Sequence, residues 1–160
     1  MAVETRPRTP ADAAWMAALL WARWGGTTIV SRGLAHDAAA LPAIVALRDG
    51  APAGLATYRI AVDDCELVSL DSTVEGAGVG MALIAAVREA ATRAGCARVW
   101  LITTNDNTPA LRFYQRRGFR LVAVHRDAVA IARVLKPSIP LSGIDGIPIR
   151  DEIELQLPLR

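Results

Sequence analysis

The chain has 160 residues, with 18 Lys and Arg against 16 Asp and Glu, a formal net charge of +2, and 52% hydrophobic residues. These numbers suit one folded domain with a full-sized core and exclude a disordered chain. There is no long basic run of the kind nucleic acid would call for, no apolar stretch long enough to span a bilayer, and no leader-like apolar stretch in Met1–Arg6.

Val3–Arg6 reads as a first strand. Thr9 and Pro10 read as an N-cap and a first helical residue. The helix they open should run to about Trp24, with Trp15, Ala18, Leu19 and Ala22 on one face and Gly25-Gly26 at its end. Thr28–Val30 suits a short strand, Ser31-Arg32-Gly33 a turn, and Asp37–Leu41 a short helix stopped by Pro42. Irregular segments of this kind tend to border binding sites. Ala43–Arg48 and Ala53–Ala61 are strands joined through Asp49-Gly50, a tight-hairpin sequence. After a turn at Asp63-Asp64 comes the strand Cys65–Leu70, in which period two places Val68 and Leu70 on one face. Gly76, Gly78 and Gly80 follow, and from Met81 the residues Leu83, Ile84 and Val87 keep helical spacing up to Ala94-Gly95. Ala97–Thr103 is a buried strand. Asn105–Pro109 caps a helix from about Pro109 to Arg117, ended by Gly118. Phe119–Val124 is a strand, Asp127–Leu135 a short helix broken by Lys136-Pro137, and Ile139–Arg150 a proline- and glycine-rich loop. Glu152–Leu157 alternates as a last strand, Ile153 and Leu155 against Glu154 and Gln156. Hairpin strands followed by β-α-β units give an α/β (α+β) domain with a mixed sheet. Cys65 and Cys96 read as buried thiols of a reducing compartment, here the cytoplasm, and His36 and His125 add too little to them for a metal site.

A glycine-rich turn leading into a helix aims several unpaired backbone N–H groups at one point, where the helix N-terminus adds partial positive charge. It is a seat for an anion, most often a phosphate. Two known loops do not fit. A P-loop ends in Gly-Lys-Ser/Thr, whereas Gly80 is followed by Met81-Ala82. A dinucleotide fingerprint needs glycine where Met81 stands, on a strand that comes first rather than fourth.

Glu75-Gly76-Ala77-Gly78-Val79-Gly80 instead resembles the acyl-CoA loop of the GNAT acetyltransferase superfamily, Gln/Arg-x-x-Gly-x-Gly/Ala, matching its glycines and departing at its first residue. One strand later, Asn107–Phe119 resembles the other signature of that superfamily, Asn-x-x-Ala-x-x-hydrophobic-Tyr-x-x-x-Gly-Phe. Asn107, Ala110, Phe113, Tyr114, Gly118 and Phe119 fill its defining positions.

The resemblance implies a mostly antiparallel central sheet, splayed between its fourth and fifth strands and flanked by helices, as a single domain over 1–160 with a loop and helix insert at about 127–150. It implies an acetyl-CoA-dependent N-acetyltransferase that transfers directly to a primary amine of a small molecule or peptide, without a metal. Two alternatives stand beside it, an acyl-CoA-binding or sensing module with little catalysis, and a protein N-terminal or lysine acetyltransferase. The implied pyrophosphate seat is the backbone of Gly76, Ala77, Gly78, Val79, Gly80 and Met81. The pantetheine arm would pass Val68 and Leu70 in the splay and bond Asn107, which also suits a helix cap, with Ala110, Phe113 and Tyr114 completing the cosubstrate site. Tyr114 matches the tyrosine that protonates the departing thiolate. Glu66, four residues before Leu70 on the same strand face, matches a glutamate that serves as base. The Glu75 carboxylate would repel phosphate, with Arg112 or Arg116 compensating. The insert either covers the acceptor site, with Asp145 or Asp151 attracting an ammonium group, or builds a homodimer interface. Trp24, Arg32 and His36 are candidates for the opposite wall. Beyond acetyl-CoA and an amine, neither nucleic acid nor membrane is an expected partner.

Overall fold

The computed structural model describes residues 2–160; Met1, part of the stretch read for a leader, lies outside them. The strands are β1 (Val3–Pro7), β2 (Thr28–Ser31), β3 (Leu34–Asp37), β4 (Ala43–Arg48), β5 (Ala51–Ala61), β6 (Asp64–Ser72), β7 (Arg98–Thr104), β8 (Arg120–His125) and β9 (Glu152–Pro158). The helices are α1 (Ala13–Trp24), α2 (Val79–Arg93), α3 (Thr108–Arg116) and α4 (Ala128–Leu135). Seven strands form one sheet in the order β1-β4-β5-β6-β7-β9-β8, antiparallel throughout except for β6 beside β7. This is the mixed, mostly antiparallel sheet expected. A separate hairpin, β2-β3, turns through Arg32 and Gly33, both at positive φ. The sequence reading had the first strand and the turn but not β3.

Each face of the sheet carries a helix. On one, Leu83, Ile84, Val87 and Ala91 of α2 pack with Ile44, Ala46, Leu67 and Val99. On the other, Met16, Leu19 and Leu20 of α1 pack with Val45, Leu55 and Val68. Each such Leu contributes about 1.5–3 kcal/mol by leaving water. The expected stripe of α1 is corrected here, because Ala18 and Ala22 are exposed and Met16 and Leu20 are buried instead. The helix is apolar nearly all round, so periodicity alone could not choose between stripes, and the larger side chains took the core. Its N-terminus is held by the Asp12 carboxylate, which accepts from the Thr9 N–H at 2.8 Å and from Arg6 Nη1 and Nη2 at 2.7 and 3.0 Å.

Two irregularities in β6 shape the centre of the molecule. The first is a bulge: Thr57 pairs with Ser69 but Tyr58 with Leu67, leaving Val68 as an extra residue. An inserted residue reverses the alternation beyond it. Val68 therefore sits with the α1-side cluster and Leu70 with the α2-side cluster. The expectation that Val68 and Leu70 share a face fails for this reason, as does the shared face of Glu66 and Leu70. The second irregularity is that β6 pairs with β7 only through Asp64–Arg98, Cys65–Val99 and Glu66–Trp100, while β7 stays paired with β9 from Arg98 to Thr104. The fourth and fifth strands of the sheet thus part after Glu66, which is the expected splay.

The segment between β8 and β9 is tied down by polar side chains. Arg133 of α4 donates to the carbonyls of Ile139, Pro140 and Ile149. Asn105 bonds the backbone of Pro148, Arg150 and Asp151. Lys136 Nζ reaches the carbonyls of Trp24 and Thr28 at 2.7 and 2.6 Å, which fastens the end of α4 to the start of the β2-β3 hairpin. No helix among the described residues is long and apolar enough to cross a membrane.

Candidate active site

The glycine-rich loop runs from the end of β6 into α2. Gly76 and Gly78 adopt positive φ, 71° and 78°, which an L side chain resists. Gly78 is the N-cap, so α2 begins at Val79, two residues earlier than read from the sequence, and its first backbone bond is Ala82 N–H to Gly78 O at 3.0 Å. The N–H groups of Val79, Gly80 and Met81 are therefore the unpaired donors of a helix start. Gly80 is required by contact, since a Cβ there would lie 2.8 Å from Phe113 Cζ. Leu70, Gly76, Gly78, Val79, Gly80, Met81, Ala110, Phe113 and Tyr114 all line one groove of about 540 Å³ between this loop and α3. Ala77 packs beside it against the core.

Tyr114 projects from α3 between the rings of Phe113 and Phe119, edge-on to each at 5.3 Å. It is 9% exposed, and burial pushes its phenol well above the usual range. It stays protonated at neutral pH and so holds a proton to give. Glu75 is exposed at the groove's rim. The cation on the groove is neither Arg112 nor Arg116, both of which are exposed, but Arg117. Its guanidinium stacks 3.8 Å from the Phe113 ring centre, its Nη1 donates to Phe113 O, and its buried Nε has no partner among the described residues. The turn after α3 brings Arg117 back over the ring, and sequence spacing alone did not single it out.

A smaller cavity of about 110 Å³ opens where β6 leaves β7, lined among others by Glu66, Val68, Ile102, Asn107 and Glu152. Val68 and Asn107 thus face this cavity rather than the groove. Asn107 also fills its cap role, its Oδ1 accepting the Ala110 N–H at 3.2 Å. Glu66 is 2% exposed. Ser31 Oγ donates to its Oε2 at 2.5 Å, and His36 Nε2 lies 3.1 Å from the same hydroxyl. Arg59, its cross-strand neighbour, comes within 3.8 Å of Oε1. Burial raises the Glu66 carboxyl above its usual range, opposed by the Ser31 bond and by Arg59, with Glu154 adding a further push upward. Burial and Arg59 together lower His36, so that ring is neutral at neutral pH.

The early segment contributes as expected in part. Trp24 lines the cavity, and His36 lies behind it, against Ser31 Oγ and 3.8 Å from Glu66 Oε1, whereas the Arg32 side chain is exposed. The acidic groups on the cavity are corrected. Asp145 is exposed, and the Asp151 carboxylate accepts the Asp127 N–H; neither lines the cavity. The second carboxylate there is Glu152, also 2% exposed, whose Oε1 accepts the Arg32 N–H at 3.2 Å. It shares a strand face with Glu154 and Gln156, opposite Ile153 and Leu155 as the alternation of the sequence has it. The β2-β3 hairpin and α4 cover that face, with Val129, Ala132 and Ile139 closing the cavity. Of Ile139–Arg150, expected to fold over the site, only Ile139 reaches the cavity. The rest is tied to the end of β7, where Ile144 N–H reaches Asp106 Oδ2. Among the described residues no group of His, Cys, Asp and Glu is placed to hold a metal, and Cys65 and Cys96 are buried and free.

A parting between parallel strands, a glycine-capped helix start at its mouth and the Asn-to-Phe helix beyond it define an acyltransferase fold. The profile of the acetyltransferase (GNAT) family matches residues 5–119, and the chain belongs to that family. It is 53% identical over 100 residues to the Bacillus subtilis (strain 168) protein YdhI, itself uncharacterised; the match spans 62% of this chain and 62% of that relative's length. Among solved structures it is similar to the IAA acetyltransferase from Bacillus cereus ATCC 14579, with TM-score 0.74 and 21% identity over 98% of this chain and 99% of that one. A GNAT family acetyltransferase from Elizabethkingia anophelis, solved with acetyl-CoA bound, superposes with TM-score 0.68 at 18% identity, covering 98% and 97%. At these identities the two structures show a shared fold.

Proposed function

We propose that the chain is an acetyl-CoA-dependent N-acetyltransferase that moves the acetyl group directly to a primary amine of a small molecule or peptide. The observation that carries this is the parting of β6 from β7 with a cavity on either side of β6, one bearing a protonated phenol, Tyr114, and the other a buried carboxylate, Glu66. The similar structure with acetyl-CoA bound adds support. The unpaired N–H groups of Val79 to Met81 suit the pyrophosphate, and Arg117 supplies the positive charge that Glu75 does not. The facing edges of β6 and β7, unpaired with each other beyond Glu66, suit the amides of the pantetheine arm.

The acceptor arrives as an ammonium ion. Glu66 removes one proton, and the neutral nitrogen attacks the thioester carbonyl. As the C–S bond breaks, Tyr114 gives its proton to the sulfur and regains one from solvent, while the acylated nitrogen loses its second proton. Amide, free thiol and one net proton result. Ser31 holds Oε2 of Glu66, which leaves Oε1 to accept.

The test is thiol release from acetyl-CoA over a panel of amines. Release that depends on an amine, and that falls about a hundredfold or more in Tyr114→Phe while acetyl-CoA still binds, is the expected result. Tight binding without turnover on any amine would instead favour an acyl-CoA-binding module, the reading to which the exposed Glu75 carboxylate gives some weight.

A further inference from the structure

The small cavity carries more information about its occupant than a bare need for an amine. Glu66 and Glu152 reach it from β6 and β9, and two consecutive residues of the β2-β3 hairpin, the last of β2 and the first of its turn, hold them. Ser31 Oγ takes Glu66 Oε2 at 2.5 Å, and the Arg32 N–H takes Glu152 Oε1 at 3.2 Å. That shared clamp brings two carboxylates into one enclosure and leaves the other oxygen of each without a hydrogen bond from the protein. Arg59 Nη1 and the neutral His36 ring each approach Glu66 Oε1 to 3.8 Å but neither lines the cavity, and Glu152 has no ion pair among the described residues. Among the described residues no lysine, arginine or histidine lines the cavity; its remaining wall is mainly apolar, including Ile29, Val68, Val129 and Ile139. A guest carboxylate or phosphate would therefore be buried against like charge with no counter-ion, an arrangement that costs binding steeply. A guest with two positive ends would meet a carboxylate at each.

We propose that the acceptor is a short aliphatic diamine bearing no carboxylate or phosphate. Its reacting nitrogen is at Glu66, and Glu152 determines specificity by taking the second ammonium group. This rests on the acetyltransferase reading above. The narrow cavity, about 110 Å³, favours an unbranched chain over a sugar ring. Cationic and apolar features then match along the guest's length, with the methylenes against the Ile and Val wall.

The test uses the full chain with acetyl-CoA and matched acceptors. Putrescine is set against ornithine, and cadaverine against lysine, each pair differing by one carboxylate, with n-butylamine as the version lacking a second ammonium. The diamines are expected to exceed both the amino acids and butylamine in kcat/KM by about tenfold or more. Glu152→Gln, whose amide oxygen still accepts the Arg32 N–H, should erase the preference of putrescine over butylamine by raising KM for putrescine, and Glu152→Asp should restore part of it. Calorimetric acetyl-CoA affinity, unchanged in both variants, establishes that they are folded. Equal turnover of ornithine and putrescine, or a preference that survives Glu152→Gln, overturns the diamine assignment alone. Failure to acetylate any amine overturns the acetyltransferase reading with it.

Discussion

Gly80 is the position where the groove's shape depends most directly on one missing methyl group. Gly80→Ala would place a Cβ 2.8 Å from Phe113 Cζ and 3.2 Å from Cε1, well inside the roughly 3.5–4.0 Å carbon–carbon optimum. Two effects oppose each other. Alanine in place of glycine favours a helix by up to about 1 kcal/mol, while overpacking a filled site costs about 1–3 kcal/mol. The ring cannot retreat freely, because the Arg117 guanidinium stacks on it at 3.8 Å and Tyr114 meets it edge-on. The expected net is a loss of about 1 kcal/mol, or a melting temperature lower by about 3 °C. Acetyl-CoA should bind about tenfold more weakly, since the displaced ring moves into the groove. The assay is a double-mutant cycle read by denaturant unfolding and by acetyl-CoA titration. Phe113→Leu removes the ring carbons that collide, so Gly80→Ala made in that background should stabilise. If Gly80→Ala stabilises equally with Phe113 present, the contact is not as described and the reasoning fails.

Two further substitutions probe buried carboxylates of opposite sign. Burial raises the Glu66 carboxyl from its usual 4.5, so its contribution to stability is complete below that value and is lost as pH rises through the folded one. Glu66→Gln should therefore melt higher than the parent at neutral pH and no higher in acid, while kcat/KM falls about a hundredfold and loses its acid limb. A parent acid limb at or below the ordinary carboxylate range would contradict the assignment of Glu66 as base. Asp12 behaves inversely. Arg6 and the Thr9 N–H hold its carboxyl well below the usual range, so it stabilises above the ordinary carboxylate pKa and loses that contribution as pH falls through the folded value. Asp12→Asn should cost about 1 kcal/mol near neutrality, a difference that shrinks in strong acid in equilibrium unfolding.

Local chemistry explains what could be read in advance. The anion seat follows from Gly76, Gly78 and the start of α2, which lie within a few positions of one another. The helix from Asn107 carries its own cap and its own tyrosine. Alternation in β9 follows from the period of the backbone, and β4 and β7 read as apolar runs between turn signals, so every strand but β3 was legible, and with them the order of the remaining elements. Where apolar residues surround a helix, as in α1, the same rule is ambiguous, and packing decides which stripe is buried.

What the chain determines unaided is therefore most of its elements and the glycine-rich helix start, because these rest on turn, cap and periodicity rules that act over a few residues, while Tyr114 and Glu66 are singled out by the resemblance to the family's signatures. Tertiary structure alone decides the cavity that holds Glu66 and Glu152. Ser31 lies 35 positions from the Glu66 it clamps, and Arg32 lies 120 from Glu152. The bulge at Val68 exists only in the register between β5 and β6, yet it assigns Glu66 and Leu70 to opposite faces. The alternation around Glu152 carries no sign of the hairpin from the other end of the chain that closes over it. Contacts of that range leave no local pattern in a sequence, and so the site's second carboxylate came into view only with the fold.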